Sequence, residues 1–149
     1  MIGRAGVAAL LSAVMAAGSC ASGGTPVGGD QRRVGSVTVT LRVEPSEVKL
    51  GRPVRLTLGL QNVSGQAQTL RFSSGRKYDF WATRNGRETW RWSSDRVFTQ
   101  AEQSQQLPGQ TGTHFSESWT PDAAGNYRVM ASLEAEGFAG TLSDEVVVK

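Results

Sequence analysis

GRKYDFWATRNGRETWRWSSDRVFTQA, residues 75–101, holds three of the four tryptophans of this 149-residue chain. Its centre, Asn85-Gly86, is a dipeptide that tight hairpin turns prefer, because both residues tolerate a positive φ angle. Apolar residues alternate on either side of it, which predicts a β-hairpin with arms at residues 78–83 and 88–92. Since a large aromatic ring buries roughly 150–250 Å², this hairpin is expected to supply much of the core.

The first arm of the hairpin has two faces, because successive side chains of a strand point in opposite directions. One face carries Tyr78, Phe80 and Ala82, and the other carries Asp79, Trp81 and Thr83. On the second arm, Trp90 and Trp92 share a face and are expected in the core. Asp79 is expected to pair with Arg91 or Arg76 across the sheet rather than to act as a catalytic or ligand carboxylate.

The rest of the chain also has the pattern of β structure. Short segments with strand-like apolar residues are separated by turn residues, and no strand–helix alternation appears. Eight strands are predicted, at residues 37–43, 54–60, 70–72, 78–83, 88–92, 113–119, 127–133 and 142–148. Residues 98–106 are polar without a clear period and are expected to be a loop or a short irregular element. The pattern predicts an all-β fold, an immunoglobulin-like antiparallel β-sandwich of about eight strands, over residues 36–149.

The N-terminal segment is typical of an exported protein. Arg4 precedes an apolar stretch at residues 5–17, which is shorter than the roughly 20 residues of a membrane-spanning helix. The stretch ends in Ala17-Gly18-Ser19-Cys20, which resembles the lipobox of bacterial lipoproteins, although leucine is usual at the position of Ala17. We therefore expect residues 1–19 to be a lipoprotein signal peptide and Cys20 to carry the lipid. Ordinary cleavage nearby, or no cleavage, are the alternatives.

Residues 20–35 are rich in Gly, Ser, Thr and Pro and nearly free of large apolar side chains. Such a segment buries too little surface to offset its ordering entropy. It is expected to be a flexible tether between the lipidated Cys20 and the folded domain. The expected location is extracytoplasmic, with the lipid as the membrane anchor.

Four motifs in and beside the hairpin resemble, in order and spacing, the signature of a known family. They are Ser74-Gly75, Tyr78-Asp79-Phe80, Trp90-Arg91-Trp92-Ser93 and Phe98-Thr99-Gln100-Ala101. The family is BsuPI, the intracellular proteinase inhibitor domain, and weaker similarity extends over residues 37–133. The resemblance implies a proteinase inhibitor, and it transfers no residue as the reactive position. The family name implies a cytoplasmic protease, whereas this chain has the features of an exported protein.

Chemistry-bearing residues are few. With one cysteine and one histidine, the chain cannot form an intramolecular disulfide or a Cys/His metal cluster. No nucleophile elbow or phosphate-binding loop is present, and His114 is expected to be a surface residue of a strand. The formal charge of +3 is scattered, which does not favour nucleic-acid binding. We expect no enzymatic activity, no metal and no cofactor.

The first functional hypothesis is inhibition of a subtilisin-like serine protease through an exposed loop or strand edge. Candidate loops are residues 73–77, 93–96, 107–112 and 137–140. The second hypothesis is a non-inhibitory module that docks another protein of the cell envelope, and a weaker third is carbohydrate binding through Trp81. The candidate partner-binding residues are Trp81, Ser74, Gly75, Arg76, Ser94, Asp95 and Arg96. Trp81 is included because an exposed tryptophan between Arg84 and Arg91 has the composition of a binding hot spot.

Overall fold

The computed structural model describes residues 30–149, which form strands and a single 3₁₀ turn. The strands are β1 (Gln31–Val34), β2 (Val37–Glu44), β3 (Glu47–Val48), β4 (Val54–Asn62), β5 (Gln68–Phe72), β6 (Tyr78–Arg84), β7 (Arg87–Arg91), β8 (Gln103–Leu107), β9 (Gly112–Trp119), β10 (Gly125–Leu133) and β11 (Leu142–Val148). The 3₁₀ helix, Trp92–Asp95, follows β7. All eight predicted strands are present, and β1, β3 and β8 are additional. The predictions for residues 1–19 and for Cys20 lie outside the described residues.

Two sheets enclose the core. One has the order β1-β2-β4-β9 and the other β3-β11-β10-β6-β7, while β5 and β8 form a separate two-stranded ribbon. Neighbouring strands are antiparallel except β3 and β11, which run parallel. This arrangement confirms the all-β, immunoglobulin-like sandwich. In the described part of the chain, no helix is long and apolar enough to cross a membrane.

Period-two alternation places one face of each central strand in the core. On β10, Tyr127, Val129, Ala131 and Leu133 are buried while the residues between them are exposed or half-buried. The inward residues of β2 and β4 are Val or Leu, except Asn62 at the end of β4, and all are buried. Burial of branched aliphatic side chains at about 25 cal/mol per Å² is the main stabilising contribution, and it fixes the register of both sheets.

The folded domain begins earlier than expected, because Gln31–Val34 is strand β1. It pairs with β2 through a tight turn in which Gly35 has φ 56°. Val34 is buried, and the guanidinium Nε of Arg32 donates a hydrogen bond of 2.9 Å to the carbonyl of Thr141. The expected tether over residues 20–35 is therefore wrong for its last residues. Backbone pairing with β2 orders this segment, and its side-chain composition does not reveal that pairing.

A second difference lies in residues 98–106, which were expected to be irregular. Their last part belongs to β8, which pairs with β5 and ends in the buried Leu107. Gln103 and Gln105 alternate with exposed residues but are only half-buried. A strand of a two-stranded ribbon needs few apolar residues, because one of its faces stays in solvent. The polar sequence of β8 therefore gave no signal that predicted a strand.

The end of β4 is held by a buried amide. Asn62 is fully buried and donates hydrogen bonds of 2.7 Å and 3.0 Å to the carbonyls of Gln66 and Leu107. Its side-chain oxygen accepts from the hydroxyls of Ser36 and Ser64. One side chain therefore joins the turn after β4, the turn before β2 and the loop after β8, at one end of the sandwich.

Candidate functional site

The aromatic hairpin forms as predicted, with β6 and β7 joined at Asn85-Gly86. These two residues have φ angles of 53° and 75°, the left-handed conformations that the turn requires. Phe80 and Ala82 of β6 point into the core and are fully buried. A register irregularity between Ala82 and Thr83 changes the alignment of the two arms. The hairpin forms an edge of the five-stranded sheet.

On the other face of β6, Asp79 is a buried charged side chain that is only 1% exposed. Its carboxylate accepts hydrogen bonds from the Arg91 guanidinium (2.7 Å), the Ser93 hydroxyl (2.7 Å) and the backbone N–H groups of Phe80 (2.9 Å) and Ser93 (3.3 Å). The predicted pairing with Arg91 is confirmed. A buried carboxylate needs such partners to offset its desolvation. The two hydrogen bonds from Ser93 to Asp79 fix the start of the 3₁₀ turn relative to β6.

The chain after β7 enters the 3₁₀ turn instead of an open loop. The Ser94 hydroxyl donates a hydrogen bond of 2.8 Å to the carbonyl of Arg91, and the Arg96 N–H donates one of 3.3 Å to the carbonyl of Ser93. Asp95 is exposed at the end of the turn. The expectation of a loop at residues 93–96 is therefore corrected, because the local hydrogen bonds and the anchor at Asp79 favour a helical turn. Trp92 consequently lies in this turn and not on β7.

A continuous aromatic stack runs from the 3₁₀ turn into the core. Tyr78 stacks on Trp92 at a centroid distance of 4.6 Å and on Phe115 of β9 at 4.5 Å, and Phe98 packs on Trp92 at 5.6 Å. The Tyr78 hydroxyl donates a hydrogen bond of 2.5 Å to Glu117. Burial, together with this bond to Glu117, raises the pKa of Tyr78. The stack links the two sheets and gives the segment after the 3₁₀ turn a rigid support.

One of the predicted loops, residues 73–77, meets the segment that follows the 3₁₀ turn at this support. The N–H of Gly75 donates a hydrogen bond of 2.8 Å to the carbonyl of Thr99, so residues 73–77 lie against residues 96–101. A Cβ at position 75 would lie 2.6 Å from the Thr99 Cγ2 and 3.3 Å from the Thr99 N, which explains the glycine. The shallow groove between the loops, of about 430 Å³, is lined by Ser74, Arg76, Arg96, Val97, Phe98 and Gln100.

The structure thus brings together most of the residues predicted for partner binding, and their binding role stays a prediction. Ser74 accepts a hydrogen bond from the Arg76 N–H, and Arg76 pairs at 3.7 Å with Glu134. The Arg96 guanidinium lies 4.6 Å from the centre of the Trp92 ring. Ser94 and Asp95 immediately precede Arg96 and are both exposed.

Trp81 does not line the groove. It is half-buried on the face of β6 opposite to Phe80, and the Arg91 guanidinium lies 4.4 Å from the centre of its ring. A cation–π contact of this kind covers one face of the indole. Trp81 is therefore less exposed than its sequence context indicated, and a sugar could stack only on the other face of the ring.

The remaining candidate residues lie elsewhere. The loop at 107–112 is held by Asn62, and Gly140 of the loop at 137–140 lies beside Arg32. His114 is exposed on β9, opposite Gly59. Within residues 30–149, no group of three or more His, Cys, Asp or Glu side chains could hold a metal ion.

Sequence reasoning missed Val97, which is fully exposed. It stands between Arg96 and Phe98, at the start of the polar segment that was expected to be irregular. The signal available in the sequence was local alternation: if Phe98 packs inward in an extended segment, its neighbour points outward. Thr99, the partner of Gly75, was missed because only the fold brings these two residues together.

Comparisons with solved structures give partial likenesses. The CARDB domain of a Pyrococcus furiosus protein, solved in complex with di-metal ions, has a TM-score of 0.49 at 16% identity and covers 80% of this chain and 97% of its own. Spo0M, a sporulation control protein from Bacillus subtilis, has a TM-score of 0.48 at 16% identity, and the match covers 78% of this chain and 50% of Spo0M. An alkylpurine DNA glycosylase from Pseudomonas fluorescens has a TM-score of 0.44 at 14% identity, and the match covers 76% of this chain and 30% of the glycosylase. No curated protein matches this sequence.

A family model gives the assignment. The model described as "BsuPI: Intracellular proteinase inhibitor" matches residues 37–138, about two thirds of the chain. The match includes the hairpin, the Asp79 network, the 3₁₀ turn and both loops of the groove. A proteinase inhibitor needs no catalytic residues, in agreement with the expectation of a non-enzymatic protein. This chain belongs to the BsuPI family of intracellular proteinase inhibitors.

Proposed function

We propose that this protein inhibits a subtilisin-like serine protease reversibly, through the extended segment that follows the 3₁₀ turn. The observation that carries the proposal is the anchoring of residues 96–99 within the family's own signature. Arg96 and Phe98 contact Trp92, and Thr99 is bonded to Gly75. Proteases bind extended peptide segments, and this segment starts in an extended conformation, with Arg96 at φ −118° and ψ 150°.

Rigidity distinguishes an inhibitor from a substrate in this proposal. A mobile loop loses conformational entropy on binding, at about 0.5–1.5 kcal/mol for each immobilised side chain, whereas an ordered loop does not. The aromatic stack and the Asp79 network hold the segment in place before any protease arrives. The inhibitor can therefore occupy the active-site cleft without chemistry of its own.

We further propose that the protein is lipidated at Cys20 after removal of residues 1–19 and acts outside the cytoplasm. The support is the sequence pattern alone: the apolar stretch at 5–17, followed by small residues and the chain's single cysteine. A target protease would then lie at the cell envelope.

The inhibition proposal is tested by titrating the purified protein against subtilisin-like, trypsin-like and chymotrypsin-like proteases. We expect reversible inhibition of a subtilisin-like enzyme at micromolar concentration or below, with the inhibitor recovered intact. The proposal would be contradicted if the folded protein inhibited none of these proteases and a non-protease partner were recovered from envelope extracts. That result would favour the alternative of a docking module.

The anchor proposal has a separate test. Metabolic labelling with a fatty-acid probe should mark the wild-type protein in its native host and leave Cys20→Ser unlabelled. Equal labelling of both proteins, or a wild type found only in the soluble fraction, would contradict lipidation at Cys20.

A further inference from the structure

Val97 differs from the other exposed aliphatic residues of the described domain. Leu50, Val63 and Val147 are 37–50% exposed, whereas Val97 is 100% exposed. Single apolar residues on a surface are common and need no explanation by themselves. Val97 is distinctive because its whole side chain is in solvent while its neighbours on both sides are fixed.

Each neighbour of Val97 points toward the body of the domain. The Arg96 guanidinium lies over the Trp92 ring at 4.6 Å, and the Phe98 ring packs on the same Trp92 at 5.6 Å. One residue later, the Thr99 carbonyl accepts the hydrogen bond from Gly75. Val97 therefore occupies the apex of a short segment that is anchored on both sides.

The anchors continue into the core. Trp92 stacks on Tyr78, and the adjacent Ser93 is bonded to the buried carboxylate of Asp79 through both its N–H and its hydroxyl. These contacts restrict the movement of the backbone that leads into Val97. The position of the side chain is thus set by the fold before binding, as is required of a residue that enters a protease pocket without a large entropy loss.

Building on the proposed inhibition, we infer that Val97 is the side chain that enters the primary specificity pocket of the target protease. The pocket would be apolar and shaped for a branched aliphatic side chain, and residues 96–98 would lie in the cleft as an extended strand with their peptide bonds intact. Because the Val97 side chain is fully exposed in the free protein, its whole apolar surface would leave water on entering the pocket, which favours binding.

The test uses the full-length protein and the protease it inhibits best. Val97→Asp should raise the inhibition constant at least about tenfold, since a buried unpaired charge costs more than the 1.4 kcal/mol that this factor represents. Val63→Asp is the matched control, because Val63 is also exposed and lies on the turn after β4, which is held by Asn62. Val97→Leu should retain inhibition and change the preference among proteases.

The outcomes separate the inference from the function on which it rests. Val97 makes no core contact, so Val97→Asp should fold like the wild type, which circular dichroism checks. If the wild type inhibits and Val97→Asp inhibits equally well, the role of Val97 is overturned while the inhibitory function stands. If the wild type inhibits no protease, the inhibitory function and the role of Val97 are both overturned. The titration of the wild type alone shows this, without any variant.

Discussion

The guanidinium of Arg91, the residue just before the 3₁₀ turn, lies 2.7 Å from the carboxylate of Asp79. The same guanidinium also pairs with Glu88 at 2.6 Å and covers Trp81. Arg91 therefore connects a buried charge to the exposed edge of the hairpin. The pair orients the turn from which the proposed inhibitory segment starts.

The two carboxylates that Arg91 contacts should differ in their contribution to stability. Asp79→Ala should lower the free energy of unfolding by about 3–5 kcal/mol, because it leaves a buried network without its acceptor. Glu88→Ala should cost less than about 1 kcal/mol, since that pair is exposed to solvent. Urea unfolding of both variants measures the difference. Equal losses would show that Asp79 is not the structural anchor of the turn.

The two tryptophans of the WRW motif should also differ. Trp92 is buried at the centre of the aromatic stack, whereas Trp90 is half-buried beside Trp119 at 6.0 Å. We expect Trp92→Ala to cost about 3–5 kcal/mol and to weaken inhibition, as loss of a buried ring does. Trp90→Ala should cost less and leave inhibition nearly unchanged. Both are measured by denaturant unfolding and by protease titration, and a larger effect at Trp90 would contradict the placement of Trp92.

Tyr78 should make stability depend on alkaline pH. Burial and the bond to Glu117 raise the pKa of Tyr78 in the folded state, while in the unfolded chain it is about 10. Above pH about 10 the unfolded chain releases this proton and the folded protein retains it, so stability falls as the pH rises. Below pH about 10 the contribution is fully present.

Tyr78→Phe keeps the stacked ring and removes the hydroxyl. Its free energy of unfolding should therefore fall less steeply than that of the wild type above pH 10, as followed by urea unfolding at a series of pH values. Parallel slopes for the two proteins would exclude Tyr78 as the group responsible.

The contact between Gly75 and Thr99 should control inhibition through rigidity. In Gly75→Ala the new methyl group would meet the Thr99 Cγ2 at 2.6 Å and force the two loops apart. We expect weaker inhibition at nearly unchanged stability, because both residues lie outside the core. Thr99→Ser removes that Cγ2, so adding it to Gly75→Ala should restore part of the inhibition. If the double variant is no better than Gly75→Ala, the methyl clash is not the cause.

The sequence alone was sufficient for the local structure of this protein. Asn85-Gly86 predicted the hairpin turn, and alternation predicted the inward residues of β2, β4 and β10. Both signals depend on neighbouring residues: the turn needs positive φ angles, and a strand shows its buried face every second residue. The spacing of the aromatic motifs was likewise enough to indicate the family.

Pairing between distant segments came only from the tertiary structure. Gln31–Val34 and Gln103–Leu107 carry polar side chains except at their last residue, and they become strands because β2 and β5 supply backbone partners. Their own composition favoured a tether and an irregular segment. The backbone hydrogen bonds of these two strands do not depend on side-chain type, so the pattern of side chains in the sequence does not predict them.

The candidate site was decided in the same way. Residues 73–77 and 93–96 were both expected near the hairpin, but the groove exists because Gly75 meets Thr99, 24 positions further along the chain. The exposure of Val97 follows from Arg96 and Phe98 both turning onto Trp92. The sequence determines which side chains are present and how strands alternate, whereas long-range packing determines which of them are held out in solvent.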